Sequence, residues 1–277
     1  MGKQSLYQDS DYLRNDQYRD SRNLDARAAL HRRFTVAAVA WLPWVFDHLA
    51  LQAGERVLDC GCGPGWLWRE NLDRIPAACD VTLADLSPGM VAEAEAALAG
   101  SSPSFHFQVA NIEALPFDDG TFDVVVANHM LYHVADRPRA LAEVQRVLRP
   151  GGRFYAATNG RSHMRELWQM RQELLFPGQQ EHAPGVMGLG SVFSLENGRE
   201  QLELWFSEVT LHSYDSSLAV TEVEPLLNYA LSSSEARASV TEAILVEARR
   251  YVEQVIADKG AFHIAKDAGL FAAQKGA

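Results

Sequence analysis

Glycine occupies alternate positions in Gly61-x-Gly63-x-Gly65, and this loop follows a short apolar run, residues 56–59, that ends in Asp59. Glycine accepts unusual dihedrals and has no side chain to clash, so such a loop lets backbone approach a ligand closely. Asp85 comes 20 residues after Gly65, at the end of the next apolar run. An acid placed there accepts hydrogen bonds from both hydroxyls of a ribose, and the two features together point to a nucleoside ligand.

Two kinds of nucleoside compete. A nicotinamide or flavin dinucleotide wants G-x-G-x-x-G/A, whose last small residue lets helix and strand pack closely, but Trp66 stands at that position. Asp59 would repel a pyrophosphate, whereas its charge suits the ammonium of a methionine moiety and a nearby sulfonium. The pattern favours S-adenosylmethionine, with an NAD-linked oxidoreductase as the alternative.

His129, Tyr132 and His133 follow another apolar run, residues 122–127. If helical turns begin there, His129 and His133 share a face at i, i+4, and either is placed to act as a general base. The plainer role is a hydrogen bond that fixes the loop. Near the start of the chain Asn23, Arg27 and His31 are spaced i, i+4, i+8 behind Tyr7, Tyr12 and Tyr18. Arg27 or Arg22 suits a carboxylate clamp, or these residues form an ordinary solvated face. Cys60, Cys62 and Cys79 contain no C-x₂-C pair, so they read as packing thiols and no metal centre is expected.

The elements that must position these groups alternate in type. Short apolar strands are expected at residues 56–59, 80–84, 105–109, 122–127 and 153–157, with helices at 66–72, 88–99 and 137–148 between them. Parallel pairing through right-handed crossovers follows, with helices on both faces. The first 50 residues read as two helices, near 24–34 and 36–49, with Pro43 starting or kinking the second. After residue 160 the rhythm breaks: a helix near 164–175, a loop through 190, a strand near 207–217, helices near 222–231 and 234–258, and a β-like stretch at 262–273. The expectation is an α/β, Rossmann-like, doubly wound, mostly parallel seven-stranded sheet with an N-terminal helical arm and a lid inserted after the fifth strand. Its parts are a helical cap (1–50), a cofactor-binding core (51–160), a lid and acceptor region (161–205) and a completion of the sheet with additional helices (206–277).

Composition narrows the partners. The 277 residues are 47% hydrophobic and 22% charged, enough for one α/β domain with additions. Lys and Arg total 25 against 36 for Asp and Glu, a net charge of −11, which repels phosphate-rich partners, so no nucleic acid is expected. The first 40 residues are locally basic, with seven Lys and Arg against five Asp. No apolar run approaches the ~20 residues that span a bilayer, and no secretory or myristoylation pattern is present. A cytoplasmic location without a membrane partner is the expectation.

Five motifs now appear in order: Val57-Leu58-Asp59-Cys60-Gly61-Cys62-Gly63-Pro64-Gly65, Ala84-Asp85-Leu86-Ser87-Pro88-Gly89-Met90, Leu115-Pro116-Phe117-Asp118, Phe122-Asp123-Val124-Val125 and Leu148-Arg149-Pro150-Gly151-Gly152. Over residues 54–158 the chain resembles the class I S-adenosylmethionine-dependent methyltransferases, in particular the small-molecule "methyltransferase type 11" group. The resemblance implies S-adenosylmethionine as cofactor, S-adenosylhomocysteine as product and a small-molecule acceptor. It implies that the glycine loop (Gly61, Cys62, Gly63, Gly65) and Asp59 hold the methionine end, Asp85 the ribose, and Leu86 and Ile112 the adenine. Asn111 would address the adenine amino group, although the family usually has Asp there. Tyr18, Arg27, Met90, Glu113, Asn128 and His129 complete the implied cofactor contacts, and residues 128–133 would line the transfer site, with His129, Tyr132 and His133 as catalytic candidates. Trp168, Phe176, Met187, Phe193, Trp205 and Phe206 lie where such enzymes contact the acceptor, which suggests an apolar or aromatic molecule. A non-catalytic module that binds S-adenosylmethionine or S-adenosylhomocysteine is the alternative from outside enzymology.

Overall fold

In the computed structural model the described residues are 8–176, 192–232 and 240–276. The expectations for Tyr7, Met187 and the side chains of Arg22 and Asn23 lie outside the described residues, as does most of the loop through 190.

Five strands run parallel: β2 (Arg56–Cys60), β3 (Asp80–Asp85), β4 (Phe105–Val109), β5 (Phe122–Asn128) and β6 (Leu148–Asn159). With β7 (Ser207–Ser213) and β10 (Ala268–Gln274) they form a seven-stranded sheet in the order β4-β3-β2-β5-β6-β10-β7. Only β10 and β7 run antiparallel to their neighbours. The central strands are apolar almost throughout because both faces are covered: Val57, Leu58, Val124, Val125 and Val126 are all fully buried. The chain starts at β2, builds outward to β4 and then crosses to β5 on the other side. That reversal opens a crevice between β2 and β5 at the carboxyl ends of the strands, where such sheets bind ligands.

Helices α5 (Pro88–Leu98) and α6 (Arg137–Val147) begin at capped ends. Ser87 accepts the Met90 N–H and Asp136 accepts that of Arg139, each followed by a proline in the first turn, where the missing N–H costs nothing. The Pro-Gly-Gly turn expected at residues 149–152 lies within β6. It is absorbed as a bulge, because Phe122 pairs with Leu148 but Val124 already pairs with Arg153.

A second core lies beside the sheet, assembled from distant segments. Helix α2 (Arg22–Phe34) contributes Leu30 and Phe34, α7 (Arg165–Met170) contributes Trp168, α9 (Val223–Ala230) contributes Leu226 and Leu227, and α10 (Glu242–Lys259) contributes Val252. A three-stranded antiparallel sheet completes it, with β8 (Ser217–Val220) between β1 (Thr35–Val36) and β9 (Phe262–Ala265). Three expectations change here. The helix expected from residue 36 starts later, as α3 (Trp41–Leu49) with Pro43 in its first turn, because residues 35–36 pair with β8. The strand expected at 207–217 is two, β7 and β8, in different sheets, and the stretch 262–273 likewise divides into β9 and β10. Both breaks carry the chain from the large sheet to the small one, an event that no local periodicity encodes.

Candidate active site

A cavity of about 590 Å³ runs along the carboxyl edge of the parallel strands. Residues from the glycine loop, the ends of β3, β5 and β6, helix α2 and the start of β10 line it. Gly61, Gly63 and Gly65 all have positive φ, at 70°, 54° and 72°, a region that side chains disfavour. A Cβ on Gly61 would come within 2.8 Å of Met130, and one on Gly65 within 3.2 to 3.4 Å of Leu98, Ala94 and Leu83. Gly65 is therefore the close contact between this loop, α5 and β3. Trp66 is left on the cavity wall, with the Arg32 guanidinium 4.4 Å from its ring centroid.

Asp85 ends β3 and is fixed by backbone donors. The Gly63 N–H donates to its Oδ2 at 3.0 Å and the Ser87 N–H to its Oδ1 at 2.9 Å. Burial pushes its carboxyl above the ordinary value, against the lowering effect of these donors. Asp59 at the end of β2 is 2% exposed. Its Oδ2 accepts the Trp68 indole N–H at 2.8 Å, while its Oδ1 has no partner among the described residues. Burial raises its pKa to about 7, the Trp68 bond opposes the rise and the Asp85 charge adds to it. A buried carboxylate oxygen without a donor calls for a cation, and an ammonium group answers that need.

Leu86, Met90, Asn111, Ile112 and Glu113 line the cavity on the β3 and β4 side. The Asn111 Oδ1 already accepts the Glu113 N–H at 3.0 Å, so one lone pair of this oxygen remains for a ligand. Glu113 in turn accepts the Asp136 N–H at 2.9 Å, which ties the cofactor side to the start of α6.

On the other side stand Asn128, His129, Tyr132 and His133. The shared helical face does not form: His129 has φ 57°, and only a 3₁₀ turn, Leu131–His133, follows. The left-handed residue turns the chain off β5, so the two imidazoles part. His129 packs against Trp41, with ring centroids 4.9 Å apart, and its buried Nδ1 has no partner among the described residues. Burial and the charge of Lys266 lower its pKa to about 4. His133 Nε2 instead hydrogen-bonds the Tyr18 hydroxyl at 2.9 Å, and its ring meets that of Tyr132 edge-on. Burial raises the Tyr132 hydroxyl far above its usual range. Arg27 and His31 of α2 line the cavity as their spacing suggests. The Arg27 Nε donates to Ser232 Oγ at 3.2 Å, and burial holds the His31 pKa near 3.

Of the aromatic residues expected to meet an acceptor, Trp168 and Phe193 line the cavity, while Phe176 is buried in the second core and Phe206 packs on Phe154. Sequence reasoning missed Trp41, His163, Tyr229 and Lys266 as cavity residues. None belongs to a motif: Trp41 comes from α3, His163 from the turns after β6, Tyr229 from α9 and Lys266 from the β9 to β10 turn. Cys60, Cys62 and Cys79 are free thiols.

The sheet order, the glycine loop and two acids at the crevice define a nucleoside-binding α/β enzyme core. Residues 58–156 match the family model described as a methyltransferase domain, so this core is a methyltransferase domain of the kind that takes S-adenosylmethionine as its cofactor. A malonyl-acyl-carrier protein O-methyltransferase of Erwinia billingiae is 37% identical over 127 residues, 45% of this chain and 47% of that protein. The ubiquinone/menaquinone biosynthesis C-methyltransferase UbiE of Hahella chejuensis is 38% identical over 116 residues, 41% of this chain and 47% of that protein. The chain thus spans about half the length of these curated relatives. Among solved structures, phosphoethanolamine N-methyltransferase 2 of Haemonchus contortus superposes with a TM-score of 0.58 at 18% identity, over 100% of this chain and 62% of that one, a likeness of fold. Among the described residues no helix is long and apolar enough to cross a membrane.

Proposed function

We propose that the protein methylates a small organic acceptor with an apolar or aromatic body. The observation that carries this reading is the continuity of one cavity from the Asp59, glycine-loop and Asp85 cradle to a chamber walled by Trp41, Trp168, Phe193 and Tyr229. When bound, S-adenosylmethionine supplies a methyl group on a positively charged sulfur. The free Oδ1 of Asp59 takes the ammonium, Asp85 the ribose hydroxyls, and Leu86 and Ile112 hold the adenine, with Asn111 at its amino group. Helix α2 and the described residues His163, Trp168 and Phe193 cover the acceptor and keep water from it.

Methyl transfer needs alignment above all. His129 stands at the carboxyl end of β5, between the cradle and the aromatic chamber, and its unpartnered Nδ1 orients the acceptor's nucleophilic group by accepting a hydrogen bond. A histidine whose pKa lies near 4 is a poor proton sink at neutral pH, so orientation is its main task. Tyr132 and the Tyr18–His133 pair close the chamber behind it.

Calorimetric titration with S-adenosylhomocysteine, with NADH run alongside, tests the cofactor assignment. Micromolar binding of the first alone supports it, and binding of NADH alone overturns it in favour of an oxidoreductase. A screen of small aromatic acceptors for release of S-adenosylhomocysteine then separates an enzyme from a binding module, which would hold the cofactor without turnover.

A further inference from the structure

Lys266 lies in the turn between β9 and β10, and its side chain reaches the cavity. Its Nζ stands 3.5 Å from Thr35 Oγ1, at the limit of a hydrogen bond, and 5.2 Å from the Tyr214 ring centroid. Among the described residues no carboxylate pairs with it. An ammonium has three donors, and at most one is used here. The other polar groups that feel its charge are the imidazoles of His31, His129 and His163, all held neutral by burial. Burial lowers the Lys266 pKa to about 8, and no neighbouring anion offsets the effect.

The carboxylates of the cavity are confined to one side, whereas its cations, Arg14, Arg27, Arg32 and Lys266, are spread along it. Its carboxylates among the described residues, Asp59, Glu70, Asp85 and Glu113, all lie at the ends of β2 and β3 or in the segments after β2 and β4. Lys266 stands beside the first residue of β10, four strand positions from β3 in the sheet order, a separation of ~19 Å at about 4.8 Å per strand. One end of the cavity suits a cationic ligand, and the other presents a cation that has no counter-charge among the described residues.

We propose that the acceptor carries a carboxylate, and that Lys266 is the residue that selects it. The proposal rests on the methyl-transfer reading and names the acceptor class for the same site. The carboxylate lies against Lys266, with the unpartnered Nδ1 of His31 beside it as a second donor in the suitable tautomer. The body of the molecule packs on Trp41 and Tyr229, and its nucleophilic group points back along the cavity toward His129. A monoanion balances one ammonium among neutral imidazoles, whereas a phosphate dianion would leave surplus charge buried.

The test is binding rather than turnover. Benzoate, 4-hydroxybenzoate and indole-3-acetate, each with its neutral amide, are titrated into wild type, Lys266→Met and Lys266→Arg, with and without saturating S-adenosylhomocysteine. At least one acid is expected to bind wild type about tenfold tighter than its amide, the scale of a charge-assisted hydrogen bond. That preference should fall to about twofold or less in Lys266→Met, return in part in Lys266→Arg, and leave S-adenosylhomocysteine affinity unchanged. No acid preferred over its amide in wild type, or a preference that survives Lys266→Met, overturns the proposal. If Lys266→Met does not fold, the acid-to-amide ratios of wild type and Lys266→Arg decide. Failure of S-adenosylhomocysteine to bind wild type would remove the methyl-transfer reading, while the titrations without it still report on Lys266.

Discussion

Asp85 and Gly63 hold one another: the carboxylate at the end of β3 accepts the loop's N–H at 3.0 Å, so the acid meant for the ribose also sets the shape of the glycine loop. Asp85→Ala should weaken S-adenosylhomocysteine binding by about tenfold to a hundredfold, the cost of losing hydrogen bonds to a charged group. Asp85→Asn should lose nearly as much, because one face of an amide turns N–H groups toward the backbone donors of Gly63 or Ser87. Calorimetry reads both, and wild-type affinity in Asp85→Asn would remove the loop-setting role.

Asp59 links cofactor binding to pH. In the free protein its pKa is raised to about 7, so at pH 6 it is largely protonated, and an arriving ammonium must expel that proton. Affinity for S-adenosylhomocysteine should therefore rise with pH up to about 7, by at most tenfold per unit, and flatten above. Titrations in buffers of different ionisation enthalpy should show proton release at pH 6. Asp59→Asn, which keeps an acceptor for Trp68, should bind weakly and without this slope.

Gly89 seats the N-terminal arm. A Cβ there would collide with the Arg19 carbonyl oxygen, beside the bond from the Ser21 N–H to Glu93 at 3.1 Å. Gly89→Ala must displace the arm, and with it Tyr18 from His133. Trypsin should then cut at Arg14 and Arg19 several-fold faster while the melting temperature of the core changes little. Unaltered proteolysis would show that the arm is not seated there.

Three buried histidines set the acid sensitivity. His31 is lowered to about 3 and His129 to about 4, and His163 lies well below its usual value, each chiefly through burial. As pH falls from about 6.5 toward 4, the unfolded chain takes up these protons and the folded one does not, so stability falls. Asp59 and Asp85 act in the opposite sense, since a raised carboxyl pKa contributes stability that fades as pH rises, for Asp59 between about 4 and 7. Three groups oppose two, and the urea midpoint should drop between pH 6.5 and 4. His163→Asn should make that slope shallower, and an unchanged slope would mean that these imidazoles are already solvated.

The cofactor half of the site was legible because its residues are close in sequence and bound to a backbone geometry. Gly61, Gly63 and Gly65 are needed where φ is positive, Asp59 and Asp85 end adjacent strands, and capping residues such as Ser87 mark where helices begin. The acceptor half was not legible for the opposite reason. Trp41, Tyr229 and Lys266 share no spacing, and the i, i+4 arithmetic applied to His129 and His133 fails where the chain leaves β5 in a left-handed turn.

By itself the sequence determined an alternation of strands and helices, a parallel core and a nucleoside cradle, since local periodicity, glycine and capping chemistry act over a few residues. Tertiary structure alone decided that residues 217–220 leave the large sheet to pair with residues 35–36 on one side and 262–265 on the other. It also decided that His31, His163 and Lys266 meet in one chamber at the start of β10. Burial of apolar faces is non-directional and acts between segments hundreds of residues apart, so which side chains it gathers around a ligand depends on how the whole chain packs.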